Sequence, residues 1–484
     1  MADLQRLENY IGGSLRAPAS RDYLENFEPA TGRAYALTPE SDAADLTDAA
    51  SAAEAAFAEW RSQPAGTRAR LLLDIAARVE AQAEALARAE SVDTGKPIRL
   101  ARDIDIPRAS ANLRFFAAAA TQFASESHAM EGAINYTLRQ PHGVVACISP
   151  WNLPLYLLTW KIAPALAAGN CVIAKPSEIT PMTAWLFSRI CIDAGLPAGV
   201  LNILHGTGAH IGQALVTHPS IRAISFTGGT ATGRCIARDA APLFKKLSLE
   251  LGGKNPTIVF GNCDWDKMLA TTLRSAFSNQ GQVCLCGSRI FVEQSVYERF
   301  CDEFVKLARA LRVGDPLDAS TEQGALVSEQ HLKKVLGCVA LAREEGGRIL
   351  CGGAQLVLEN GRCANGWFVS PTVIEGVPAD CRTNQEEIFG PVVTLIPFTG
   401  EDEVVAQANC TPYGLAASLW SSDIARCHRI ANGLDAGLIW INTWMLRDLR
   451  TPMGGMKASG VGREGGFEAM RFFTEPKNVC VNYV

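Results

Sequence analysis

The sequence has few histidines and no long apolar run without breaks. Only seven histidines occur in 484 residues, scattered singly, so a histidine-based metal site has little support. The most apolar long stretch, residues 153–174, is interrupted by proline, lysine, glycine and asparagine, which excludes a lipid-facing span. Residues 1–10 lack the basic end and apolar core of a secretory signal. We therefore expect a cytoplasmic protein.

An excess of positive charge is also missing. The formal net charge is -5, which argues against binding to nucleic acid or to acidic membranes. The fifteen cysteines are best explained as reduced thiols in a chain without an export signal. Cys284 and Cys286 are separated by one residue and do not match the usual zinc spacing. These absences leave a small molecule as the expected partner and no metal.

The composition that is present predicts a folded chain of more than one lobe. Hydrophobic residues make up 48% and charged residues 20%, which is ordinary for a globular protein. A chain of 484 residues exceeds the size at which a single core stops growing. Helix-like apolar spacing predicts two early helices, at residues 43–60 and 67–91, the second ending at Gly95–Pro97.

From residue 142 onward, short apolar runs alternate with helical segments. This alternation is typical of parallel βαβ units. The runs form two sets, which predict two α/β lobes. The first set is 144–148, 171–174, 200–204 and 223–226, and the second is 257–260, 289–292 and 393–397.

Cys284 is the candidate nucleophile. It ends the segment Asn279–Cys284, in which Gly281 permits a tight turn that can present the thiol at a cleft. For the other fourteen cysteines we expect a buried structural role.

Two further residues are candidates for acid–base and oxyanion chemistry. Glu250 lies in an apolar, strand-like run closed by two glycines, so its carboxyl group should be desolvated and its pKa raised, as a general base for water requires. Asn152 follows Pro150 and Trp151 and precedes Pro154, so its amide should be fixed and able to donate to an oxyanion.

Four segments, in this order, resemble the aldehyde dehydrogenase superfamily: Ile148–Pro154, Leu249–Lys254, Asn279–Cys284 and Glu386–Pro391. The resemblance extends over essentially the whole chain. It implies an α/β fold with a Rossmann-like NAD domain, a catalytic α/β domain and a small β projection for oligomerisation. The expected boundaries are 1–121 and 141–252 for the NAD domain, 253–452 for the catalytic domain, and 122–140 and 466–484 for the projection.

The resemblance also implies a role for each site residue. Cys284 would be the nucleophile, Asn152 and the Cys284 backbone N–H the oxyanion donors, and Glu250 the base that activates the deacylating water. The residues expected to bind NAD are Ile148, Ser149, Trp151, Lys175, Ser177, Glu178, Gly208, Phe226, Gly228, Gly229, Thr232, Leu251, Glu387 and Phe389.

Within that set, Glu178 bears on the choice of cofactor. A carboxylate there accepts hydrogen bonds from a free 2'-hydroxyl and repels a 2'-phosphate, so NAD is expected rather than NADP. A helix beginning after Gly229 would place its N-terminus at the pyrophosphate. A common family pattern has serine at position 229, so one hydroxyl donor is missing there.

Segments 105–108 and 447–455 resemble the branch of this superfamily that oxidises 2-aminomuconate and 2-hydroxymuconate semialdehydes. The matching positions imply that Arg108 and Arg447 bind the substrate's carboxylate, with Asn152 and Cys284 at the aldehyde end. Surface or interdomain salt bridges are the alternative for each arginine. That branch usually has phenylalanine where this chain has Met453, and we expect this change to affect packing near the cofactor.

Two other functions stay open from the sequence. One is oxidation of a different aldehyde, such as a succinate-type semialdehyde or betaine aldehyde. The other is a structural protein that keeps the fold without turnover, which the set of Cys284, Glu250 and Asn152 disfavours. The resemblance further implies a homodimer or a homotetramer.

Overall fold

The computed structural model describes residues 4–359 and 361–483. Positions 1–3 and 484, at the outer limits of the predicted NAD domain and projection, lie outside the described residues. The α-helices span Ala43–Ser62, Ala65–Ala81, Ala83–Thr94, Ile98–Leu100, Ile106–Gln122, Pro154–Ala167, Met182–Asp193, Gln213–Thr217, Thr230–Ala240, Trp265–Phe277, Tyr297–Ala310, Glu329–Glu344, Arg382–Gln385, Glu401–Asn409, Ile424–Gly433 and Gly466–Phe472.

The first large sheet has eight strands, of which five consecutive ones, from Lys246–Glu250 to Leu201–Ile203 in the sheet, are parallel. The chain builds it outward from the central strand Val144–Ile148 to one side and then returns to add Ile221–Thr227 on the other side. The sheet order is Gly460–Val461, Lys246–Glu250, Ile221–Thr227, Val144–Ile148, Cys171–Lys175, Leu201–Ile203, Asn9–Ile11 and Ser14–Arg16.

The second large sheet has seven strands, all parallel except the edge strand Arg348–Cys351. Its inner strands are apolar and buried because helices cover both faces of a parallel sheet. The sheet order is Arg348–Cys351, Thr372–Glu375, Val392–Phe398, Gly287–Glu293, Asn255–Val259, Ala416–Trp420 and Leu438–Ile441.

A third sheet is antiparallel and largely exposed on both faces. Ser127–Met130 and Ala133–Pro141 form a hairpin, and Thr474–Asn482 pairs with the second strand along its full length. Smaller sheets join Gln5–Arg6 with Tyr23–Glu28 and Arg33–Pro39, Gln355–Leu356 with Phe368–Val369, and Tyr413–Gly414 with Met456–Lys457.

The prediction of one helix over residues 67–91 was wrong. The structure has two helices, Ala65–Ala81 and Ala83–Thr94, which meet at Gln82. The first buries an apolar stripe, whereas the second buries the polar side chains Glu90 and Asp93. Tertiary contacts of these carboxylates therefore override a continuous helical propensity.

Across residues 4–359 and 361–483, no helix is long and apolar enough to cross a membrane.

Candidate active site

The site lies at the carboxyl ends of the strands at the centre of the first sheet. Val144–Ile148 and Ile221–Thr227 are neighbours in this sheet, and the strand order reverses between them. A ligand binds preferentially in the crevice that such a reversal opens. The loops after these two strands, residues 149–153 and 228–229, form one side of the site.

The loop before Cys284 has an unusual backbone. Asn279, Gln280 and Gly281 all have positive φ angles, of 52°, 55° and 68°. A left-handed conformation costs a residue with a side chain about 1–2 kcal/mol, so surrounding contacts must hold the turn. At Gly281 a Cβ would come within 2.0 Å of the Gly390 carbonyl oxygen, which requires glycine at this position.

The Cys284 thiol is half-buried and opens into a cavity of about 250 Å³. Burial raises the pKa of this thiol to about 12, and the nearby carboxyl groups of Glu387 and Glu250 act in the same direction. The thiol is therefore protonated at neutral pH in this state, and it must lose its proton in order to attack an electrophile.

Asn152 is buried and lines the same cavity as Cys284. Its Nδ2 donates to the Gln282 carbonyl oxygen at 2.8 Å, which ties the amide to the cysteine loop. The amide carries two hydrogens, so one remains available to a second acceptor.

Glu250 ends the strand Lys246–Glu250 and is buried. A Cβ on Gly454 would stand 2.7 Å from its Oε1, so the glycine leaves the space that this carboxyl occupies. Burial raises the pKa of Glu250 well above its usual range, and the charge of Glu464 raises it further. The Glu250 side chain lines neither the cavity at Cys284 nor its neighbour described below.

A buried ion pair beside Glu250 was not predicted from the sequence. Lys161 Nζ lies 2.6 Å from Glu464 Oε1 and 3.0 Å from Ser225 Oγ. Lys161 is the single charged residue of the otherwise apolar helix Pro154–Ala167. That isolated charge was the available signal, because a buried charge requires a partner.

The cavity at Cys284 brings together six of the predicted cofactor residues. The Trp151 ring meets the Phe389 ring edge-on at 5.2 Å, and Glu387 Oε1 accepts a hydrogen bond from Gly253 N at 2.8 Å. Burial raises the pKa of Glu387. The six residues are Trp151, Gly228, Gly229, Leu251, Glu387 and Phe389.

The start of helix Thr230–Ala240 closes one end of this cavity. Gly229 occupies the N-cap position, and no side chain caps the helix, so its first amide N–H groups are free to bind an anion. At Gly228 a Cβ would lie 2.4 Å from the Phe226 ring. Thr232 lies exposed in the first turn of the helix.

The remaining predicted cofactor residues lie outside the lining of this cavity. Ile148 and Ser149 are buried at the end of the central strand, and the Ser149 Oγ has no hydrogen-bond partner. At the end of the neighbouring strand, Lys175 Nζ donates to Glu178 Oε2 at 3.1 Å. Ser177 lies between these two, and Gly208 begins a short π-helical turn that passes Lys175.

A second cavity, of about 450 Å³, lies on the other side of the Cys284 loop. Arg108 and Arg447 both line it, together with Tyr156, Val283 and Trp444. The two guanidiniums lie 5.7 and 5.8 Å from the Trp160 ring centre. In the part of the chain that the structure describes, neither forms an ion pair with a carboxylate.

The charge of Arg108 is poorly compensated. Its Nη2 is buried without a partner. Burial lowers the pKa of this guanidinium, and the charge of Arg447 acts in the same direction. Two neighbouring cations that form no ion pair among the described residues favour an anionic ligand between them, although the charge of Asp448 partly offsets that of Arg108.

Met453 is buried, and its effect on packing near the cofactor stays a prediction. Its sulfur accepts a hydrogen bond from Arg447 Nη2 at 2.6 Å, and it lies beside the second cavity rather than among the residues that line the first. The methionine therefore contacts Arg447, on the predicted substrate side, and its backbone pairs with that of Glu464.

Comparison with known proteins matches most of the chain. The sequence model of the protein family described as the aldehyde dehydrogenase family matches residues 16–479. The 2-aminomuconic semialdehyde dehydrogenase of Danio rerio is 49% identical over 480 residues, which are 99% of this chain and 98% of that protein. The 2-hydroxymuconic semialdehyde dehydrogenase of Pseudomonas sp. (strain CF600) is 43% identical over 485 residues, 99% of this chain and 100% of that protein.

Solved structures have the same fold. The NAD+ complex of an aldehyde dehydrogenase from Bacillus cereus superposes with a TM-score of 0.96 at 36% identity, covering 99% of this chain and 97% of that one.

Proposed function

Since this chain belongs to the aldehyde dehydrogenase family, we propose that it oxidises an anionic muconate semialdehyde to the dicarboxylic acid with NAD. The observation that carries the proposal is the cavity that Arg108 and Arg447 share, next to the loop of Cys284. Both relatives compared above bear the name of a muconic semialdehyde dehydrogenase, and their names support the same substrate class.

The residues around the first cavity fit NAD. Glu387 offers a buried carboxyl to ribose hydroxyls, and the uncapped helix N-terminus after Gly229 suits a pyrophosphate even without a serine at this position. Lys175 and Glu178 would hold the adenosine ribose, and the other predicted residues around the two strand ends complete the site. Bound NAD supplies the acceptor for the hydride.

Acylation would begin with Cys284. The deprotonated sulfur forms a bond to the aldehyde carbon, and the carbonyl oxygen becomes an oxyanion. The free hydrogen of the Asn152 amide and the Cys284 backbone N–H would donate to this oxygen, and donors fixed in advance stabilise such a charge most. Loss of the hydride then leaves a thioester on Cys284.

Deacylation would require Glu250. Its carboxyl must rotate away from Gly454 to reach water at the thioester. Because its pKa is raised, it is a stronger base than an exposed glutamate once it has lost its proton. The pair of Lys161 and Glu464 lies close enough to influence that proton.

The test of this function is steady-state oxidation of 2-hydroxymuconate semialdehyde and its 2-amino analogue, with an uncharged aliphatic aldehyde of similar length. We expect kcat/KM to be much higher for the two anionic substrates. Succinate semialdehyde and betaine aldehyde test the alternative substrates. Equal efficiency with the uncharged aldehyde would contradict the substrate assignment, and no NADH formation with any aldehyde would contradict the activity.

Arg447→Ala should lower kcat/KM for the anionic semialdehyde by about thirtyfold or more. Loss of one partner from a buried charge-assisted pair costs on the order of 2–5 kcal/mol. Oxidation of the uncharged aldehyde should change little, and steady-state kinetics with both substrates measures the difference.

Arg450→Ala is the matched control, because Arg450 is exposed and pairs with Asp448. Its kinetics should resemble those of the unmodified enzyme. If Arg447→Ala loses activity equally on both substrates, Arg447 is structural and the assignment of the anion site must be withdrawn.

We expect a clear preference for NAD over NADP, which Glu178→Gln should weaken. The Glu178 carboxylate accepts from a ribose 2'-hydroxyl and repels a 2'-phosphate. The ratio of kcat/KM for the two cofactors measures the preference. Glu54→Gln removes the same charge from an exposed position on helix Ala43–Ser62 and should leave the ratio unchanged. Equal use of both cofactors by the unmodified enzyme would exclude this role.

The domain boundaries and the cytoplasmic location given above stay predictions.

We propose that the three-stranded sheet mediates oligomerisation. Met130, Ile134, Leu138 and Val481 on this sheet, and Tyr483 directly after its last strand, are all at least 36% exposed, which is a large apolar surface for a small sheet. A homodimer or a homotetramer would cover it.

A further inference from the structure

A buried cluster of three charged residues lies directly behind Asn152. Lys96 Nζ is 2.5 Å from Asp105 Oδ2 and 3.6 Å from Glu90 Oε1. All three side chains are at most 1% exposed. Lys96 Nζ also donates to the backbone carbonyl oxygen of Asn152 at 2.9 Å.

We propose that Lys96 is a positioning residue for aldehyde oxidation, which orients the Asn152 amide and ties it to the segment that bears Arg108. The inference rests on the proposed function, because it assigns to Lys96 an effect on the step that Asn152 assists.

The Asn152 residue is held at both ends. Its carbonyl oxygen accepts from Lys96 Nζ and, at 3.1 Å, from Asn279 Nδ2. Its side-chain amide donates to Gln282. Because the backbone carbonyl and the side-chain amide are both held, we infer that the second amide hydrogen keeps one orientation, towards the cavity at Cys284 that Asn152 lines. Removal of the ammonium would leave the peptide carbonyl with the weaker, uncharged donor Asn279 alone and let the amide shift.

The same ammonium also holds the substrate side. Asp105 ends the π-helical turn Ala101–Asp105, and Arg108 lies in the first turn of the following helix, Ile106–Gln122. The ion pair of Lys96 with Asp105 therefore links Asn152, the donor to the aldehyde oxygen, to the segment of Arg108, which would bind the substrate's carboxylate. A displacement of these groups by about 1 Å can lower the reaction rate about a hundredfold.

A purely stabilising role explains this cluster less well. Two carboxylates share one ammonium, and both Glu90 oxygens and Asp105 Oδ1 lack a hydrogen-bond partner among residues 4–359 and 361–483. Burial raises the pKa of Glu90 to about 7, although Lys96 lowers it. A buried ion pair contributes little net stability compared with apolar packing. Burying three charged side chains costs desolvation energy, and the hydrogen bond from Lys96 Nζ to the Asn152 carbonyl gives a functional reason for that cost.

The test is a double-mutant cycle of Lys96→Met and Asn152→Ala in the full-length enzyme, with NAD and the uncharged aldehyde. The rate of NADH formation in the first turnover is measured by stopped flow. We expect Lys96→Met to lower this rate about tenfold to a hundredfold, with the Kd for NAD unchanged. In the Asn152→Ala background, Lys96→Met should change it less than about threefold. Lys96→Arg, which keeps a donor, should restore part of the rate.

Multiplicative, independent losses from Lys96→Met and Asn152→Ala would overturn the proposal, as would an unchanged rate in Lys96→Met. If Lys96→Met does not fold, the cycle uses Lys96→Met with Asp105→Asn, which leaves no unpaired Asp105 charge. Arg102 lies on the same π-helical turn as Asp105 and forms an exposed ion pair with Glu84. Arg102→Met breaks only this exposed pair and should keep the normal rate. An unmodified enzyme that oxidises no aldehyde refutes the proposed function instead, and the two failures are therefore distinct.

Discussion

Cys284→Ala is expected to lower aldehyde oxidation by about ten-thousandfold or more, because no other group on the cysteine loop can form the covalent intermediate. Binding of NAD and thermal stability should be retained, since the thiol is half-buried and faces a cavity, so that its loss removes little core packing. NADH absorbance measures the first effect, and cofactor titration and thermal melting measure the others.

Cys286→Ala is the matched control. Cys286 lies two residues further along the chain and is buried in the core, with its sulfur 3.9 Å from the Ser278 carbonyl oxygen. We expect this variant to keep most of the activity. Normal turnover in Cys284→Ala, or an equal loss in both variants, would refute the role of Cys284.

Glu250→Ala is expected to separate the two halves of the reaction. Acylation should survive and give a burst of about one NADH per active site, whereas deacylation should slow by about a hundredfold or more, because a positioned base contributes that much. Rapid-mixing absorbance measures the burst, and intact-mass analysis should show the acyl group on Cys284.

The pH dependence follows from the raised pKa of Glu250. Its carboxyl keeps its proton to a higher pH than an exposed glutamate does, because burial raises its pKa, so the basic form grows as pH rises towards that pKa. Lys161 and Arg463 oppose this shift, and Glu464 adds to it. The deacylation rate of the unmodified enzyme should therefore rise with pH above the range in which exposed carboxyl groups titrate, and Glu250→Ala should lose this rise. A steady-state rate that equals that of the unmodified enzyme, without an acyl adduct, would contradict the assignment.

The sequence best predicted those elements, such as single strands and turns, whose structure depends on a local pattern of residues. The central strand was predicted at residues 144–148, and the structure has it at Val144–Ile148. The turn at Gly281 was also predicted, since a glycine between polar residues permits a positive φ. The family resemblance then placed Asn152, Cys284 and Glu387 around one cavity, although their separation along the chain gives no geometric hint of it.

Long-range polar contacts could not be predicted in this way. Lys161 and Glu464 are 303 positions apart, and Lys96 and Asn152 are 56 apart. No periodic pattern links such residues, because the partner of a buried charge depends on the tertiary fold. The break at Gln82 has the same origin, since the buried contacts of the second helix override local propensity.

The three-stranded sheet has a consequence for how the protein is made. Asn478 donates to Asn135 across this sheet from 343 positions later in the chain. At a synthesis rate of about 5–20 residues per second, the hairpin Ser127–Pro141 leaves the ribosome about 20–70 s before its third strand. During that interval the second hairpin strand presents an open edge, which other strands can join. Completion of the sheet is therefore a late event in synthesis, and the nascent chain is most exposed to mispairing at the surface that we propose joins the subunits.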